Sequence, residues 1–397
     1  MKVHEVCKQG FGLHQTFPPR FGWFKKAYDQ ALTNNAIFSD PDATVELGVG
    51  KNMVDAIAFW SLAFRILKAE QISKKTSAVY SSTEFGSLLF GEDGLDPYLE
   101  LPQSLWFLHW MAMRPGGRLP VWWLTFGAYG QYEFSSEELV EFVIGETGSG
   151  PWQYTNTKPI IKDVDCLLRM YSPRMSKNKT ALDDYLDSPF RDLGLVSPSS
   201  IDKGSYRFNV GAKPGLDDLL VLLACLDFIR LQDTKSLTIP RLVADLGSPG
   251  RMFKLSEPAL TSAINEVVNE IDGVVLATPA GVPQLIIEGD ILEVMKSILH
   301  KMYPGWMGES DLAQVFQLSV PQSDGVKAKR TKPTKSDGLS SPVRPEEVNV
   351  AENPKKKTPR VKTDRAQKST SSKKTSSTAK TSTKTKPTTA KTGAKRK

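Results

Sequence analysis

Apolar residues recur at helical spacing in two early segments, residues 21–32 and residues 51–68. A turn rich in Gly separates the second segment from what precedes it. Two short β-prone pieces follow, around Ile72 and around Tyr80, with Lys74 and Lys75 between them. A short helix, a turn, a second helix and a two-stranded ribbon follow each other in a winged helix-turn-helix, which is the prediction for this segment.

The same order recurs twice further along the chain, without detectable sequence identity between the copies. The middle copy is predicted from helices at 139–144 and 160–171 and a ribbon of residues 193–196 and 206–210. The third copy is predicted from helices at 239–246, 256–271 and 292–302 and from strands at 274–277 and 284–287. We interpret this as repeated architecture and not as a repeat family.

Charge and aromatic content divide the chain at about residue 320. Residues 1–320, the body, hold 29 Lys and Arg against 38 Asp and Glu, whereas residues 321–397, the tail, hold 22 against 6. All 36 aromatic residues lie in the body. A segment without aromatics buries too little apolar surface to offset its ordering entropy, so we expect the tail to be disordered.

The predicted fold class is therefore mainly α with small β-ribbons, built from tandem winged helix-turn-helix-like modules and followed by a disordered basic tail. The predicted domains are a winged-helix-like module at 1–115, a mostly helical module at 116–234 and a winged-helix-like module at 235–320. The Lys/Ser/Thr-rich tail occupies residues 321–397.

Several functional classes are excluded by what the sequence lacks. No apolar run approaches the roughly 20 residues of a membrane span, and the first residues include no apolar core of a secretory signal. The 3 cysteines are far apart, which indicates reduced thiols in the cytoplasm. If the protein binds DNA, we expect it to be nucleoid-associated. No spacing typical of a zinc site occurs, and the acidic segment 92–97 lacks the ligand series of a calcium loop.

Two groups of residues are candidates for contacts with nucleic-acid phosphates. Lys51 and Asn52 begin the second helix after a Gly-containing turn, where free backbone N–H groups favour an anion. The alternative is a turn in which Gly only serves backbone geometry. Lys74 and Lys75 are at the tip of the first ribbon, where phosphate contact and simple solvation are both consistent with the sequence.

A charged trio on the helix at 160–171 is the candidate polar or catalytic site. Lys162, Asp165 and Arg169 share one helical stripe, so that the cations could hold a phosphate while the carboxylate orients them. The plainer interpretation, which spacing alone favours, is an Asp165–Arg169 ion pair on a solvated face, contributing about 0.3–0.5 kcal/mol. No nuclease or hydrolase motif is recognisable, so catalysis does not follow from the residues.

The tail is the strongest sign of nucleic-acid binding, and its run Lys355, Lys356, Lys357 and Arg360 is its densest part. Such a segment attracts phosphates by counterion release but does not read base sequence. The alternative is a solubilising extension. By contrast, the third module's helix at 256–271 contains Glu and no Lys or Arg, which suits a protein contact better than DNA.

Several ordered blocks resemble a bacterial family known as a domain of unknown function from DNA phosphorothioation gene clusters. The resemblance extends over residues 4–310, and the blocks that show it are FGLHQTFP at 11–18, LGVGKNM at 47–53, TEFG at 83–86, GEDGLDPYLE at 91–100, DVDCLLR at 163–169 and YRFN at 206–209. The long basic tail is not part of the family pattern.

This resemblance implies a role in replacing a backbone oxygen of DNA by sulfur, as part of phage defence. Members accompany a cysteine desulfurase, a PAPS-reductase-like sulfur transferase and an ATPase, and a similar protein of single-strand modification systems is a DNA nickase. The leading hypothesis is therefore a DNA-binding subunit that nicks or engages one strand, with Mg²⁺ or Mn²⁺ if it nicks. The alternatives are a non-catalytic winged-helix adaptor and a nucleoid or transcriptional regulator.

Overall fold

The computed structural model describes residues 2–71, 77–172, 188–200 and 204–317. Its first part consists of short helices and one β-hairpin. These elements are α1 (Val3–Val6), α2 (Trp23–Thr33), α3 (Ala43–Glu46), α4 (Lys51–Ala63), β1 (Leu67–Glu70), β2 (Val79–Ser82), α5 (Glu84–Phe90) and α6 (Pro102–Met113). The hairpin is antiparallel, with Leu67 opposite Ser82 and Glu70 opposite Val79.

The predicted second helix is confirmed at its start and wrong at its end. Helix α4 stops at Ala63 and not near Lys68, because Arg65 takes a left-handed conformation (φ 60°). The N–H of Ile66 then donates to the carbonyl of Ser61 (2.9 Å), which closes the last turn. Lys68 consequently belongs to β1, and the hairpin begins earlier than the predicted piece around Ile72, which lies outside the described residues.

The middle part contains α7 (Pro120–Trp123), β3 (Glu133–Ser135), α8 (Ser136–Gly148), α9 (Thr157–Tyr171), β4 (Val196–Pro198) and β5 (Ser205–Phe208). The start of α8 follows from a reciprocal cap between Ser135 and Glu138. The sheet order is β3-β5-β4, so the last strand lies between the other two. The two predicted helices and the second ribbon strand are confirmed, whereas the first ribbon strand lies at Val196–Pro198 and not at 193–196, because residues 189–193 form a 3-10 helix. Strand β3 had no prediction.

The last part repeats this order with α10 (Asp218–Leu231), β6 (Ser236–Thr238), α11 (Ile239–Ala244), α12 (Pro249–Met252), α13 (Glu257–Val267), β7 (Val274–Ala277), β8 (Gln284–Ile287), α14 (Ile291–Met302) and α15 (Leu312–Val315). The sheet order is β6-β8-β7. Both predicted strands are confirmed, and Ser256 caps α13 by accepting from the N–H of Ala259, although α13 ends at Val267. In the middle part and in the last part, the strand that precedes the helices (β3 or β6) pairs with the last strand of that part (β5 or β8).

The fold class, mainly helical with small antiparallel sheets, is confirmed for the described residues. Helices α6 and α10 are buried along most of their length and form the centre of the core. A buried ion pair joins them, since the Arg114 guanidinium donates to both carboxylate oxygens of Asp227 at 2.6 and 3.1 Å. The domain boundaries at 115/116 and 234/235 stay predictions, and the tail lies outside the described residues.

Candidate nucleic-acid interface

Helix α9 has one buried and one exposed face, as its spacing predicts. Its apolar residues, including Val164 and Leu167, lie in the core. On the opposite side Lys158, Lys162 and Asp165 are exposed, and they leave a net positive charge on that face. The exposed face of α9 is therefore available to an anionic partner, whereas Asp163 on the same helix is buried.

Asp163 anchors the segment 11–18, which we call the anchored loop. Its Oδ1 accepts from the backbone N–H of Gly12 at 2.9 Å and is 2.7 Å from Nε2 of His14. The N–H of Thr16 donates to Nδ1 of the same ring at 3.1 Å, so the ring proton is on Nε2 and is donated to Asp163. His14 is fully buried and stacks on Trp60 with ring centroids 5.9 Å apart.

The electrostatics of this anchor follow from its burial. Desolvation raises the pKa of Asp163, and the hydrogen bond from His14 partly opposes that shift. A neutral imidazole that donates from Nε2 satisfies the carboxylate without requiring a second buried charge. The anchor is thus a positioning device for the loop, and it leaves no group of the pair exposed to a substrate.

The anchored loop is strained at its exposed tip. Gln15 and Thr16 have φ of 51° and 67°, a conformation that is rare for a β-branched residue and costs about 1–3 kcal/mol. Arg169 stabilises this tip by donating from Nη2 to the carbonyl of Thr16, and from Nε to the carbonyl of Asp165 at 3.3 Å. Leu13, which is 50% exposed, is presented beside them.

The structure therefore separates the three residues of the predicted trio. Arg169 contacts backbone oxygens and supports the loop, whereas Lys162 and Asp165 are exposed and form no ion pair with other described residues. The Asp165–Arg169 side-chain pair of the plainer interpretation is not formed. The trio shares a helix but does not converge on one point.

The other predicted phosphate contacts are divided between described and undescribed residues. Lys51 and Asn52 are exposed at the first turn of α4, directly after Gly50. Asp55 lies one turn further along and is 3.5 Å from the amide nitrogen of Gln15, so the anchored loop reaches this helix. Lys74 and Lys75, and the tail residues Lys355, Lys356, Lys357 and Arg360, lie outside the described residues.

The carboxylates of the described residues do not gather into a group of three or more metal ligands, although Mg²⁺ also binds through one or two carboxylates and water. No group of three His, Cys, Asp or Glu side chains comes together as a metal site in that part of the chain. The buried carboxylates already have donors: Asp96 accepts from the N–H groups of Glu100 and Leu101, both at 2.9 Å, as a turn cap. The three cysteines are buried and free.

The comparisons identify the family of the chain. The model described as "Protein of unknown function (DUF4007)" matches residues 11–303, and the chain belongs to this family. It is similar to two solved structures, an SspB crystal structure and a magnesium ion-bound SspB crystal structure, each with 30% identity and a TM-score of 0.71. These matches cover 77% of this chain and 92% and 91% of those chains. No curated protein matches the chain.

The family resemblance that the ordered sequence blocks indicated is thereby confirmed. Two of those blocks meet at the anchor, since one contains His14 and the other contains Asp163. In the sequence the two residues stand in separate blocks, and their pairing was not predicted. Their common membership in motif blocks that are far apart in sequence was the available signal. Within the described ranges no helix is long and apolar enough to span a bilayer.

Proposed function

We propose that this protein is the DNA-binding component of a bacterial DNA phosphorothioation system and engages one strand through the exposed face of α9 and the anchored loop. The proposal is supported by the likeness to SspB over 77% of the chain, because the family resemblance links such proteins to sulfur modification of DNA. The observation that carries the choice of surface is the cationic, solvent-facing side of α9 beside a strained loop.

The order of elements around α9 supports reading it as a recognition helix. A strand, two helices and two further strands, with the first and last strands paired, is the arrangement expected of a winged helix. In that arrangement α9 is the second helix, which enters the DNA groove or lies along the backbone. Lys158 and Lys162 would then neutralise phosphates, and Arg169 would hold the loop against them.

The last repeat supports a second candidate function, that of a non-catalytic adaptor. Among the described residues, helix α13 is the last α-helix before the two paired strands β7 and β8, as α9 is before β4 and β5. Unlike α9 it carries no Lys or Arg, and Glu257, Glu266 and Glu270 on it or directly after it are exposed. An anionic surface repels DNA and favours contact with a basic protein surface. We propose that this side contacts the sulfur-transfer partners: the cysteine desulfurase, the PAPS-reductase-like transferase or the ATPase.

Strand nicking with Mg²⁺ or Mn²⁺ is the finer form of the proposal. A magnesium-bound SspB structure makes it worth testing. Within the described residues no group of three or more metal-ligating side chains comes together, so the proposal assigns no chemical step to a metal. Engagement of the strand does not depend on nicking.

A supercoiled-plasmid assay tests the proposal, using the full chain with Mg²⁺, with Mn²⁺ and with a chelator. The informative variants are Lys158→Gln/Lys162→Gln and Arg169→Ala, and the control matched in charge to the double variant is Lys235→Gln/Lys296→Gln, which removes two charges outside α9. Each lost phosphate contact should lower the salt dependence of binding by about one unit of log K per log salt. We therefore expect weaker plasmid shifts for the α9 variants than for the control.

The outcomes separate the candidate functions. Metal-dependent open circle that is lost in the α9 variants supports a nickase, whereas a shift without open circle supports the adaptor. No shift for the parent protein would overturn DNA binding altogether. Equal shifts for all variants would refute the α9 surface and assign binding to other cations, such as Lys355, Lys356, Lys357 and Arg360.

A further inference from the structure

A cationic cavity lies on the body apart from the α9 surface. It has a volume of about 370 Å³ and is formed by the end of α4, β1, the start of α5, the loop after α6 and the end of α15. Its charged lining residues are Lys8, Arg65, Lys68 and Arg118, against the single carboxylate of Glu84. This local excess of positive charge is opposite in sign to the body, which has 29 Lys and Arg against 38 Asp and Glu.

Arg65 is fixed at the wall of this cavity by its own hydrogen bonds. Nε donates to the carbonyl of Met111 at 2.8 Å, and Nη2 donates to the carbonyls of Arg114 and Pro115, both at 2.7 Å. The remaining nitrogen, Nη1, makes no hydrogen bond to another described residue. The guanidinium is therefore held rigidly, with one N–H₂ edge left for an external acceptor.

The conformation of Arg65 argues that its side chain is required at this position. Its φ of 60° is the left-handed value at which helices usually end on Gly, and a non-Gly residue there costs roughly 1–2 kcal/mol. Burial lowers the pKa of Arg65 to about 9, and Arg114 adds to the shift, so the group is charged at neutral pH. Asp227 opposes the shift through its charge, but Arg65 forms no ion pair with a carboxylate of the described residues.

A purely structural role accounts for Arg65 but not for the cations around it. Lys8, Lys68 and Arg118 come from three separate segments and form neither hydrogen bonds nor ion pairs through their side chains with other described residues. Cations that converge without a carboxylate partner repel each other unless an anion joins them. The volume lies at the low end of the roughly 300–1,000 Å³ of small-ligand pockets, which admits a nucleotide but not a duplex.

We propose that this cavity is a phosphate-binding site that takes one nucleotide unit, with Arg65 as its rigid donor and Lys8, Lys68 and Arg118 as its cations. The phosphate could belong to a DNA strand or to a free nucleotide, since both present the same tetrahedral anion. The inference does not rest on the proposed function of α9, because a free nucleotide would occupy the same site.

The test uses the full chain, so that the charge of residues 318–397 is constant. The variants are Lys68→Gln/Arg118→Gln, whose side chains form no hydrogen bond or ion pair with other described residues, and Lys235→Gln/Lys296→Gln as the control of equal charge, away from both the cavity and α9. One arm follows binding of fluorescent oligothymidylate of about 16 nucleotides by anisotropy over a salt series. The other arm titrates dTMP and inorganic phosphate by calorimetry.

We expect the cavity variant to weaken binding of its ligand at least about tenfold and, for the strand, to lower the salt slope by about 0.7, the value for one phosphate contact. A loss confined to the strand assigns the site to DNA, and a loss in the dTMP arm assigns it to a free nucleotide. If the parent binds dTMP but no strand, the cavity proposal stands and DNA engagement fails. Binding of both ligands by the cavity variant as by the control would overturn the proposal.

Discussion

Replacing Asp163 by Ala or by Asn tests the anchor beneath the candidate interface. Alanine leaves the buried Nε2–H of His14 and the half-buried N–H of Gly12 without their acceptor. An unpaired buried donor costs about 1–3 kcal/mol. Removing the carboxylate offsets part of this loss, because it also removes the cost of desolvating the carboxylate, which is the cost that raises its pKa. We therefore expect Asp163→Ala to lower the free energy of unfolding by about 2 kcal/mol.

Asparagine provides the matched comparison because both hydrogen bonds of Asp163 end on Oδ1. An amide oxygen accepts both, so Asp163→Asn should stay within about 1 kcal/mol of the parent. The folded pKa of Asp163 lies above its unfolded value of 3.8, so its contribution favours the fold below that pH and is lost as the pH rises through the folded pKa. Asp163→Asn should therefore gain stability relative to the parent as the pH rises in the acid range.

Urea unfolding of the full chain, followed by tryptophan fluorescence, measures these differences. Trp60 is a suitable reporter because it stacks on His14 at 5.9 Å between centroids. If Asn destabilises as much as Ala, the carboxylate charge and not the acceptor geometry holds the loop. A loss of stability of Asp163→Asn relative to the parent as the pH rises in the acid range would contradict the direction of the pKa shift.

Three further predictions concern separate features. Asp227→Ala leaves the buried Arg114 guanidinium without its carboxylate partner and should lower the free energy of unfolding by about 3–5 kcal/mol in urea titrations. Arg241→Ala, which breaks an exposed ion pair with Asp245, is the control and should have a much smaller effect. Burial lowers the pKa of Lys254 to about 7, far below its unfolded value of 10.5, so the contribution of Lys254 to the free energy of unfolding rises with pH between these two values. Lys254→Met should flatten that rise, and an unchanged dependence of the unfolding free energy on pH would refute the prediction. Thr16→Gly relieves a left-handed Thr and should raise the midpoint of thermal unfolding while weakening DNA binding; a destabilised variant would mean that the tip is not strained.

Local sequence signals predicted the elements that depend on local chemistry. The capped helix at Ser256 and the strands 274–277 and 284–287 were predictable because an N-cap and runs of β-branched residues act within a few positions. The end of α4 was not predictable, since it depends on Arg65 taking a conformation that its side-chain contacts with distant carbonyls hold. Strand β3 was likewise missed because its pairing partner is β5, about 70 residues away.

The candidate site shows the same division between local and long-range information. Helical spacing correctly put Lys162, Asp165 and Arg169 on α9, but spacing does not show that Arg169 turns to the carbonyl of Thr16. The pairing of His14 with Asp163 joins residues 149 positions apart, and an isolated His carries no sign of its partner. The cationic cavity was also invisible in the sequence because its cations come from separate segments.

Hydrogen–deuterium exchange of the full chain, with and without a single DNA strand, tests the central claim most directly. The account predicts slower exchange in residues 11–18 and 157–171 on binding, with no change in 257–267, because α9 is cationic on its exposed face and α13 is acidic. Protection of 257–267 alone, or binding without protection of residues 11–18 and 157–171, would contradict it.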